Sequence, residues 1–418
     1  MSETLRFVHA ADLHLDSPFQ GIKNTAPEHI ASELREATFR AYDGIIDLCI
    51  ERGVQALLIA GDVFDSADRS LNAQLRFIQG LERLHVSGIQ SFVCHGNHDP
   101  MDGWTARLAF PESCHRFGPE IGAAPLGPDG QATVYGISYP QRNVVHDLTP
   151  DFQRRANDGF AIGLLHANVG LTAHESYAPC SLESLTRTGI DYWALGHVHN
   201  RAILNRSNPA VVYPGNTQGR HPNETGARGV YVVDVDTNDH PAIDFVPVST
   251  VRWETAGICI SELHTEQDLI DSLANVAEGL LHNSDRCSVV CRVELTGRGP
   301  QHTTLRRDGT LDALRSEINN HLSARSPFLW CERIVDRTGP EIDRAERRQA
   351  EDFLGDVLKM IDELQADPEE RAEFIQTALG PLYSHSRARQ YFEGHDPDAA
   401  GLLANAENRI LARMLEIA

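Results

Sequence analysis

The sequence predicts an α/β protein built as a sandwich of two mixed β-sheets flanked by helices. Short apolar runs alternate with longer segments of helical periodicity, as in folds that pack helices on the faces of sheets. Polar residues directly follow several of these apolar runs, which is typical of buried strands that end at a binding site. They occupy residues 5–8, 56–60, 92–94, 162–165 and 192–195.

The other elements of the first region follow from the same patterns. Residues 35–52 and 71–85 carry apolar side chains at helical spacing, so both are predicted to be helices that pack on a sheet. Residues 100–128 are rich in glycine and proline and are predicted to form a loop near the cleft. Further strands are predicted at residues 132–139, 160–166, 192–195, 210–213 and 229–235.

The chain is predicted to contain three regions, at residues 1–248, 249–335 and 336–418. The second region has strand-like and helix-like segments in β-α-β order, which predicts a small α/β domain. The third region is helical and carries two apolar stripes. These stripes either pack on their own domain or offer a docking surface to a helical partner.

The polar residues that follow the apolar runs form a set of metal ligands. Ligands of sheet proteins bind beyond the strand ends, so side chains from five exits can meet at one point. On an extended segment, residues two apart also point the same way. Singly, each block is compatible with a turn or a helix cap; together they predict a centre for two cations that share a carboxylate. The blocks are Asp12-Leu13-His14, Gly61-Asp62, Gly96-Asn97-His98-Asp99, His166 and Gly196-His197-Val198-His199.

The chemistry of this ligand set narrows both the metal and the reaction. Aspartate, asparagine and histidine without thiolate suit manganese, iron or zinc, and suit magnesium less well. Paired cations lower the pKa of a bound water and stabilise charge on the attacking and leaving oxygens of a phosphate ester. The sequence therefore predicts a hydrolase of phosphate esters.

The blocks DxH, GDxxD, GNHD, H and GHxH resemble those of the calcineurin-like metallophosphoesterase superfamily, whose fold is a four-layer sandwich. More narrowly, residues 9–16 and 214–221 are similar to the bacterial YhaO-type branch of the Mre11/SbcD DNA repair nucleases. The resemblance implies that residues 249–335 are a capping domain that selects DNA shape. It also implies that the C-terminal helical segment holds an SbcC/Rad50-like coiled-coil ATPase, and it allows a homodimer.

The same resemblance implies a role for each residue of the site. His98 would be a catalytic histidine that binds no metal, oriented by a carboxylate such as Asp99 or Asp65. Some relatives carry a histidine at the position of Asp65. The ligands of one cation would be Asp12, His14, Asp62 and His199, and those of the other Asp62, Asn97, His166 and His197.

A glycine-rich turn after a strand supplies the remaining candidates. Asn216, Arg220 and His221 lie in this turn, close in sequence to the last ligand block. The turn is either a phosphate contact or a purely structural feature.

Three functions remain open from the sequence. The first is a manganese-dependent DNA exo/endonuclease that acts with a separate ATPase, because this chain has no Walker A loop. The second is a phosphoesterase for small molecules or phosphoproteins, although the Asp-Arg-Gly of protein phosphatases is replaced by Asp65-Ser66-Ala67. The third is a scaffold subunit of an ATPase complex, which the intact ligand set argues against.

Composition limits the partners and the compartment. The net charge of −22 over 418 residues argues against simple binding of DNA by the protein surface, although bound cations reverse the field locally. No run is long enough to span a membrane, and the N-terminus has no signal peptide, so we expect a cytoplasmic protein. The eight cysteines include no C-x-x-C pair and predict no disulfide framework.

Overall fold

The computed structural model describes residues 5–19, 22, 26–65, 70–127, 130–155, 158–170, 177–341, 344–383 and 399–415. The chain divides into two units, neither of which is continuous in sequence. Unit 1 contains Met1–Thr255, Leu280–Cys291 and Leu322–Glu332, and unit 2 contains Ala256–Gly279, Arg292–His321 and Arg333–Ala418.

Unit 1 is built on two six-stranded sheets. In chain order the strands up to residue 247 are Leu5–Ala10 (β1), Ala56–Ala60 (β2), Gln90–Cys94 (β3), Cys114–Arg116 (β4), Gly122–Leu126 (β5), Ala132–Gly136 (β6), Phe160–His166 (β7), Asn168–Val169 (β8), Pro179–Cys180 (β9), Tyr192–Gly196 (β10), Ala202–Asn205 (β11), Ala210–Tyr213 (β12), Gly229–Val235 (β13) and Pro241–Pro247 (β14). The short strands β8 and β9 pair with each other in a separate two-stranded parallel sheet.

Both large sheets mix parallel and antiparallel pairs. The first has the order β14-β13-β1-β2-β3-β4, in which β1 to β4 are parallel and the β13 and β14 pairings are antiparallel. The second has the order β11-β12-β10-β7-β6-β5, in which the four central strands are parallel and both edge pairings are antiparallel. The carboxyl ends of the central strands therefore lie along one edge of each sheet.

Helices cover the outer faces of the two sheets. The helices Glu28–Arg52 (α1) and Leu71–Val86 (α2) pack on the first sheet, and the short helix Leu182–Thr186 (α3) belongs to the apolar layer outside the second. Apolar side chains of both sheets, such as Phe7 and Ile162, form the core between them. The predicted sandwich of two mixed sheets flanked by helices is confirmed.

The first helix begins seven residues earlier than its predicted start. Ile30 and Leu34 lie in this added part and pack with Trp253 and Phe328, which are distant in sequence. Local periodicity cannot reveal a helix turn that is held by such contacts.

The predicted loop at residues 100–128 is only partly correct, because β4 and β5 lie inside it. Each strand forms an edge of its sheet. An edge strand tolerates proline because one side of its backbone needs no ladder partner, which explains Pro125 within β5.

A third sheet follows in the chain. Its strands are Val251–Cys259 (β15), Ser288–Thr296 (β16) and Leu329–Asp336 (β17), in the order β15-β16-β17, and each has residues in both units. The helices of this part of the chain are Glu266–His282 (α4), Gln301–Leu305 (α5) and Thr310–Leu322 (α6).

The C-terminal part of unit 2 is helical. Its helices are Arg344–Gln349 (α7), Phe353–Ala366 (α8), Pro368–Tyr383 (α9) and Ala399–Leu415. Leu358 of α8 packs against Leu411, and Ile361 packs against Leu403, so the two predicted stripes partly cover each other. Among the described helices of the whole chain, none has the length and hydropathy of a membrane span.

Candidate metal centre

The five sequence blocks lie at the carboxyl ends of β1, β2, β3, β7 and β10, so both sheets contribute to one place. His166 is the last residue of β7, and Gly196 is the last residue of β10. Backbone hydrogen bonds join the loops, from Asp12 N to Gly61 O at 3.1 Å and from His14 N to Asp62 O at 3.0 Å. The fold thus brings together the ligands that the sequence predicted to converge.

Glycine precedes three of the blocks because the loops approach too closely for a side chain. A Cβ atom on Gly96 would lie 2.3 Å from Oδ1 of Asp62, and one on Gly61 would lie 2.3 Å from Nδ1 of His166. At Gly196 a Cβ atom would lie 1.8 Å from the carbonyl oxygen of Ala60. These three positions therefore require glycine for steric reasons.

Four ligands adopt left-handed backbone conformations. The φ angles are 51° for Asp12, 43° for His14, 50° for Asp62 and 99° for His197. Such conformations cost about 1–3 kcal/mol each in non-glycine residues and concentrate at functional sites. Asp12 and His14 belong to one group of ligands, as their spacing predicted, but the segment is not extended: β1 ends at Ala10, and both residues have positive φ angles.

The first group of ligands brings the Nε2 atoms of two imidazole rings close together. Nε2 of His14 lies 3.1 Å from Nε2 of His199. Nδ1 of His14 lies 3.0 Å from Oδ1 of Asp65, and Nδ1 of His199 lies 2.6 Å from Oε1 of Glu224. Each carboxylate favours a proton on Nδ1, so that in the neutral rings two Nε2 lone pairs face each other and repel. A cation between them removes this repulsion, and Asp12 completes a group whose ligand atoms lie within 4.8 Å of one another.

The second group also brings acceptors together. Nδ1 of His166 lies 2.9 Å from the carbonyl oxygen of Ala60, to which it must donate. In the neutral ring, Nε2 then directs its lone pair toward Oδ1 of Asn97 at 3.0 Å and Oδ2 of Asp62 at 3.3 Å. Nδ1 of His197 lies 3.1 Å from the same oxygen of Asn97.

Asp62 lies between the two groups. Its Oδ2 atom is 3.3 Å from Nε2 of His166 and 3.9 Å from Nε2 of His14. Its other oxygen accepts a hydrogen bond from the backbone N–H of His98 at 2.9 Å. The donor set therefore fits two divalent cations that share this carboxylate.

The electrostatics of the centre also call for positive charge. Burial lowers the pKa of His14 to about 4, and the nearby Arg220 acts in the same direction. Burial also lowers the pKa of His166, but the carboxylates of Asp62 and Asp12 outweigh it and raise that pKa to about 9. A cluster that draws a proton onto a fully buried imidazole is a suitable place for a metal cation.

His98 borders the centre without entering either group of ligands. Its ring centroid lies 5.0 Å from that of His14, and 35% of its side chain is exposed. Nδ1 lies 3.1 Å from the backbone carbonyl oxygen of Asp65 and 3.9 Å from the carboxylate of that residue. The nearer partner of His98 is therefore a main-chain carbonyl oxygen, and the carboxylate of Asp65, one of the two predicted to orient His98, lies within ion-pair distance.

Asp99 has a different role from the one predicted. Its fully buried carboxylate accepts hydrogen bonds from the backbone N–H groups of Val63 and Gly96, and it contacts Nδ1 of His95 at 2.9 Å. These bonds fix the Asp62 loop against the Asn97 loop. Orientation of His98 by Asp99, as proposed from the sequence, is wrong.

The glycine-rich turn departs from the prediction in a similar way. Asn216 is fully buried and hydrogen bonds to Gln218 O and to Arg228, so a substrate contact through this side chain is wrong. Arg220 donates to Oδ1 of Asp65 at 2.7 Å. Nδ1 of His221 accepts from a neighbouring N–H in the turn at 3.1 Å. A substrate contact by Arg220 or His221 stays a prediction.

Sequence reasoning missed Glu224 and Arg228. Glu224 holds His199 from the side opposite the first group, and Arg228 donates to the carbonyl oxygen of His199. Both residues follow the glycine-rich turn as isolated charges, and their neighbours in sequence give no signal of a contact with a ligand loop.

Comparison with known proteins agrees with this geometry. Residues 5–201 match the family described as calcineurin-like phosphoesterase, whose members are metal-dependent phosphoester hydrolases, and residues 253–339 match the middle domain of metallophosphoesterase YhaO. The chain is 36% identical to the uncharacterized metallophosphoesterase YhaO of Bacillus subtilis (strain 168), over 87% of this chain and 88% of the relative.

Weaker similarity extends to archaeal DNA double-strand break repair proteins Mre11. Identity is 24% to the Aeropyrum pernix protein, over 50% of this chain and 53% of that protein. It is 26% to the Sulfurisphaera tokodaii protein, over 49% of this chain and 51% of that protein. The 36% identity to the Bacillus subtilis YhaO protein extends over most of both chains. The chain therefore belongs to the YhaO family of calcineurin-like metallophosphoesterases.

Proposed function

We propose that this metallophosphoesterase hydrolyses phosphodiester bonds of DNA, as an exo/endonuclease of DNA repair that uses two Mn²⁺ ions. The observation that carries the proposal is the pair of ligand groups that share Asp62. Ligand sets of imidazole, carboxylate and amide oxygen suit manganese, iron or zinc, and we propose manganese among them. The Mre11 proteins to which the chain is weakly similar are named for repair of DNA double-strand breaks.

The residues of the chain supply binding, orientation and a proton. Asp12, His14 and His199 would hold one cation, and Asn97, His166 and His197 the other, with Asp62 common to both. When bound, the cations provide Lewis acidity and a water of lowered pKa. Nδ1 of His98 is held by the carbonyl oxygen of Asp65, so Nε2 is left to hold the proton that the leaving oxygen receives.

The exposure of the centre supports a large substrate. The side chains of His98, Asp65 and His199 are exposed by 35%, 33% and 31%, whereas His14 and His166 are fully buried. The centre is therefore accessible from the side of His98, where a strand of DNA can approach. The net charge of −22 favours a second candidate, a small phosphodiester, because an acidic protein repels nucleic acid.

The partner of this nuclease would be a coiled-coil ATPase that docks on the C-terminal helices. Phe353 and Met360 of α8 are exposed by 68% and 45% and are seven residues apart, so they lie on one face of the helix. Leu354 and Leu358, on the other side, pack against Leu411. An exposed apolar strip on a helix of this kind fits a helical partner.

One assay separates the candidates. The purified chain, with Mn²⁺ or Mg²⁺, is offered labelled duplex DNA, single-stranded DNA and bis(p-nitrophenyl) phosphate. We expect metal-dependent cleavage of DNA, and Asp62→Asn prepared in parallel controls for contaminating nucleases. Cleavage of the aryl ester alone would overturn the nuclease proposal and support the small phosphodiester.

A further inference from the structure

A polar pocket lies beside the His199 loop in unit 1. It has a volume of about 230 Å³ and is lined by Asn200, Arg201, Pro214 and the turn from Thr225 to Arg228. None of these lining residues belongs to either ligand group. One of its lining residues, Asn200, directly follows His199, so the pocket lies beside the metal centre without being part of it.

Arg228 forms the buried wall of the pocket and has no acidic partner there. Only 8% of the residue is exposed. Its guanidinium donates to the carbonyl oxygens of His199 and Thr225 and to the amide oxygens of Asn200 and Asn216. All four acceptors are neutral. Among the described residues, no ion pair joins Arg228 to a carboxylate, and its Nε atom has no hydrogen-bond partner.

Arg201 adds a second cation at the exposed rim. Its guanidinium carbon lies 4.1 Å from the ring centroid of Phe245, and NH1 donates to the carbonyl oxygen of Ala227 at 3.1 Å. Where the chain is described, no carboxylate is paired with Arg201 either. Glu224 acts on Arg228 from farther away and is already bound to His199.

Two guanidinium groups in one pocket, neither paired with a carboxylate among the described residues, indicate an anionic ligand. Burial of a cation among neutral groups is costly, and an anion that enters the pocket offsets this cost. The planar fork of arginine matches a phosphate better than a lysine does. In a chain of net charge −22, this pocket is a place where positive rather than negative side chains gather.

The position of the pocket suggests which phosphate it binds. Asn200 of the pocket lining directly follows the ligand His199, and Arg228 donates to the carbonyl oxygen of His199, so the pocket lies against the backbone of a ligand. Phosphates follow one another at about 3.4 Å of rise along each strand of duplex DNA. A pocket beside a ligand can hold a phosphate close to the one at the metal centre.

We propose that the Arg201–Arg228 pocket binds a backbone phosphate of a nucleic acid strand, near the phosphodiester that is cleaved. This inference rests on the proposed nuclease function and deepens it. A small diester has no second phosphate to place in the pocket, so the pocket selects a polymer.

Binding of an oligonucleotide tests the proposal. The probe is a fluorescein-labelled single-stranded phosphorothioate of about 15 nucleotides, which keeps its charges and resists cleavage. Its affinity for the Mn²⁺-loaded full chain is measured by anisotropy at several salt concentrations. For Arg201→Gln we expect the negative slope of log K against log[salt] to become shallower by about 0.7. If the affinities at 1 M salt are equal, binding at 0.1 M salt is then weaker by roughly fivefold.

Two further variants separate a phosphate contact from a structural role. Arg201→Lys keeps the charge but loses the flat contact with Phe245, so we expect it to restore the slope. Arg83→Gln removes a comparable cation from α2, where Arg83 pairs with Asp47, and we expect the slope of the parent protein. A salt slope of Arg201→Gln equal to that of the parent would overturn the proposal. So would an equal loss of affinity in the Arg201→Gln and Arg201→Lys variants.

Cleavage measured separately distinguishes the two proposals. A parent chain that binds the oligonucleotide through Arg201 but hydrolyses only bis(p-nitrophenyl) phosphate retains the pocket and loses the nuclease function. If the parent protein cleaves DNA and the Arg201→Gln variant has the affinity and salt slope of the parent, the nuclease proposal stands and the pocket proposal is overturned. A parent chain with no affinity for the oligonucleotide overturns the pocket.

Discussion

His9 and His166 are both fully buried in the same unit, yet their surroundings drive their pKa values in opposite directions. Burial lowers the pKa of His9 to about 3, and its ring nitrogens contact the hydroxyl of Tyr192 and the carbonyl oxygen of Leu195. At His166 burial acts in the same sense, but the carboxylates of Asp62 and Asp12 raise the pKa to about 9. Burial alone makes a neutral core histidine, whereas burial beside carboxylates makes a site for positive charge.

A second contrast lies within the metal centre. In the first group, His14 and His199 each have a carboxylate, Asp65 or Glu224, behind the nitrogen that faces away from the cation. In the second group, His166 relies on a backbone carbonyl. Carboxylates behind a ligating histidine fix the ring and increase its basicity. The two proposed cation positions therefore have different groups behind their histidines, and substitution can test them separately.

The largest effect is expected for Asp62→Asn, which removes the carboxylate that both groups share. Asparagine keeps the shape of the side chain, so the fold should persist while the count of bound cations per chain falls. Hydrolysis of bis(p-nitrophenyl) phosphate should fall by roughly 10³-fold or more. Elemental analysis and kcat measure the two effects, and Asp236→Asn, in an exposed turn, serves as control. Two cations and parental kcat in Asp62→Asn would show that the groups do not depend on a shared ligand.

His98→Ala is expected to reduce turnover without loss of metal. The side chain of His98 is a proton carrier in the proposed mechanism, and loss of such a group typically costs about 10²–10⁴-fold in rate. The backbone N–H of residue 98, which donates to Asp62, is retained. Cation content equal to that of the parent, together with a lower kcat, would match the proposed role. Normal turnover would show that the proton comes from elsewhere.

Glu224→Gln tests the first group alone. The amide keeps the size of the side chain but loses the charge behind His199, so the affinity of one cation should fall by about 10–100-fold. The other cation, near His166, should keep its affinity, which a two-site calorimetric titration with Mn²⁺ resolves. Glu183→Gln is a matched control because Glu183 pairs with Arg187 on the exposed side of α3. Equal weakening of both cations would contradict separate supports.

The sequence predicted which side chains would converge at the candidate centre, but not the residues that hold them there. Asp62 and Asn97 follow glycine at a strand exit, and that local pattern is visible in one dimension. Glu224 reaches His199 only through the folding of a distant turn. Asp99 lies in a recognisable block, yet its direction depends on three loops that meet in space. The positive φ angles of Asp12 and His14 could not be predicted either, since neither residue type requires them.

The smallest effect is expected for His9, in the stability of the protein against acid. Because the pKa of His9 is about 3 in the folded chain against 6.5 when unfolded, the unfolded state alone takes up a proton between these values. Stability is therefore complete above about pH 6.5 and falls as the pH decreases, by about 2 kcal/mol at pH 5. His9→Gln should reduce the loss of unfolding free energy between pH 7 and pH 5 by about this amount, measured by urea unfolding in EDTA.

Tyr192→Phe is the matched control for this last comparison. It removes the hydroxyl partner of His9 at 3.0 Å but keeps the buried imidazole. We therefore expect a lower stability at every pH with the pH dependence of the parent protein. His9→Gln, in contrast, should flatten the dependence, because it removes the group that titrates only on unfolding. If both variants kept the parental slope, protonation of unfolded His9 would not contribute to acid sensitivity, and the contrast with His166 would lose its basis in burial.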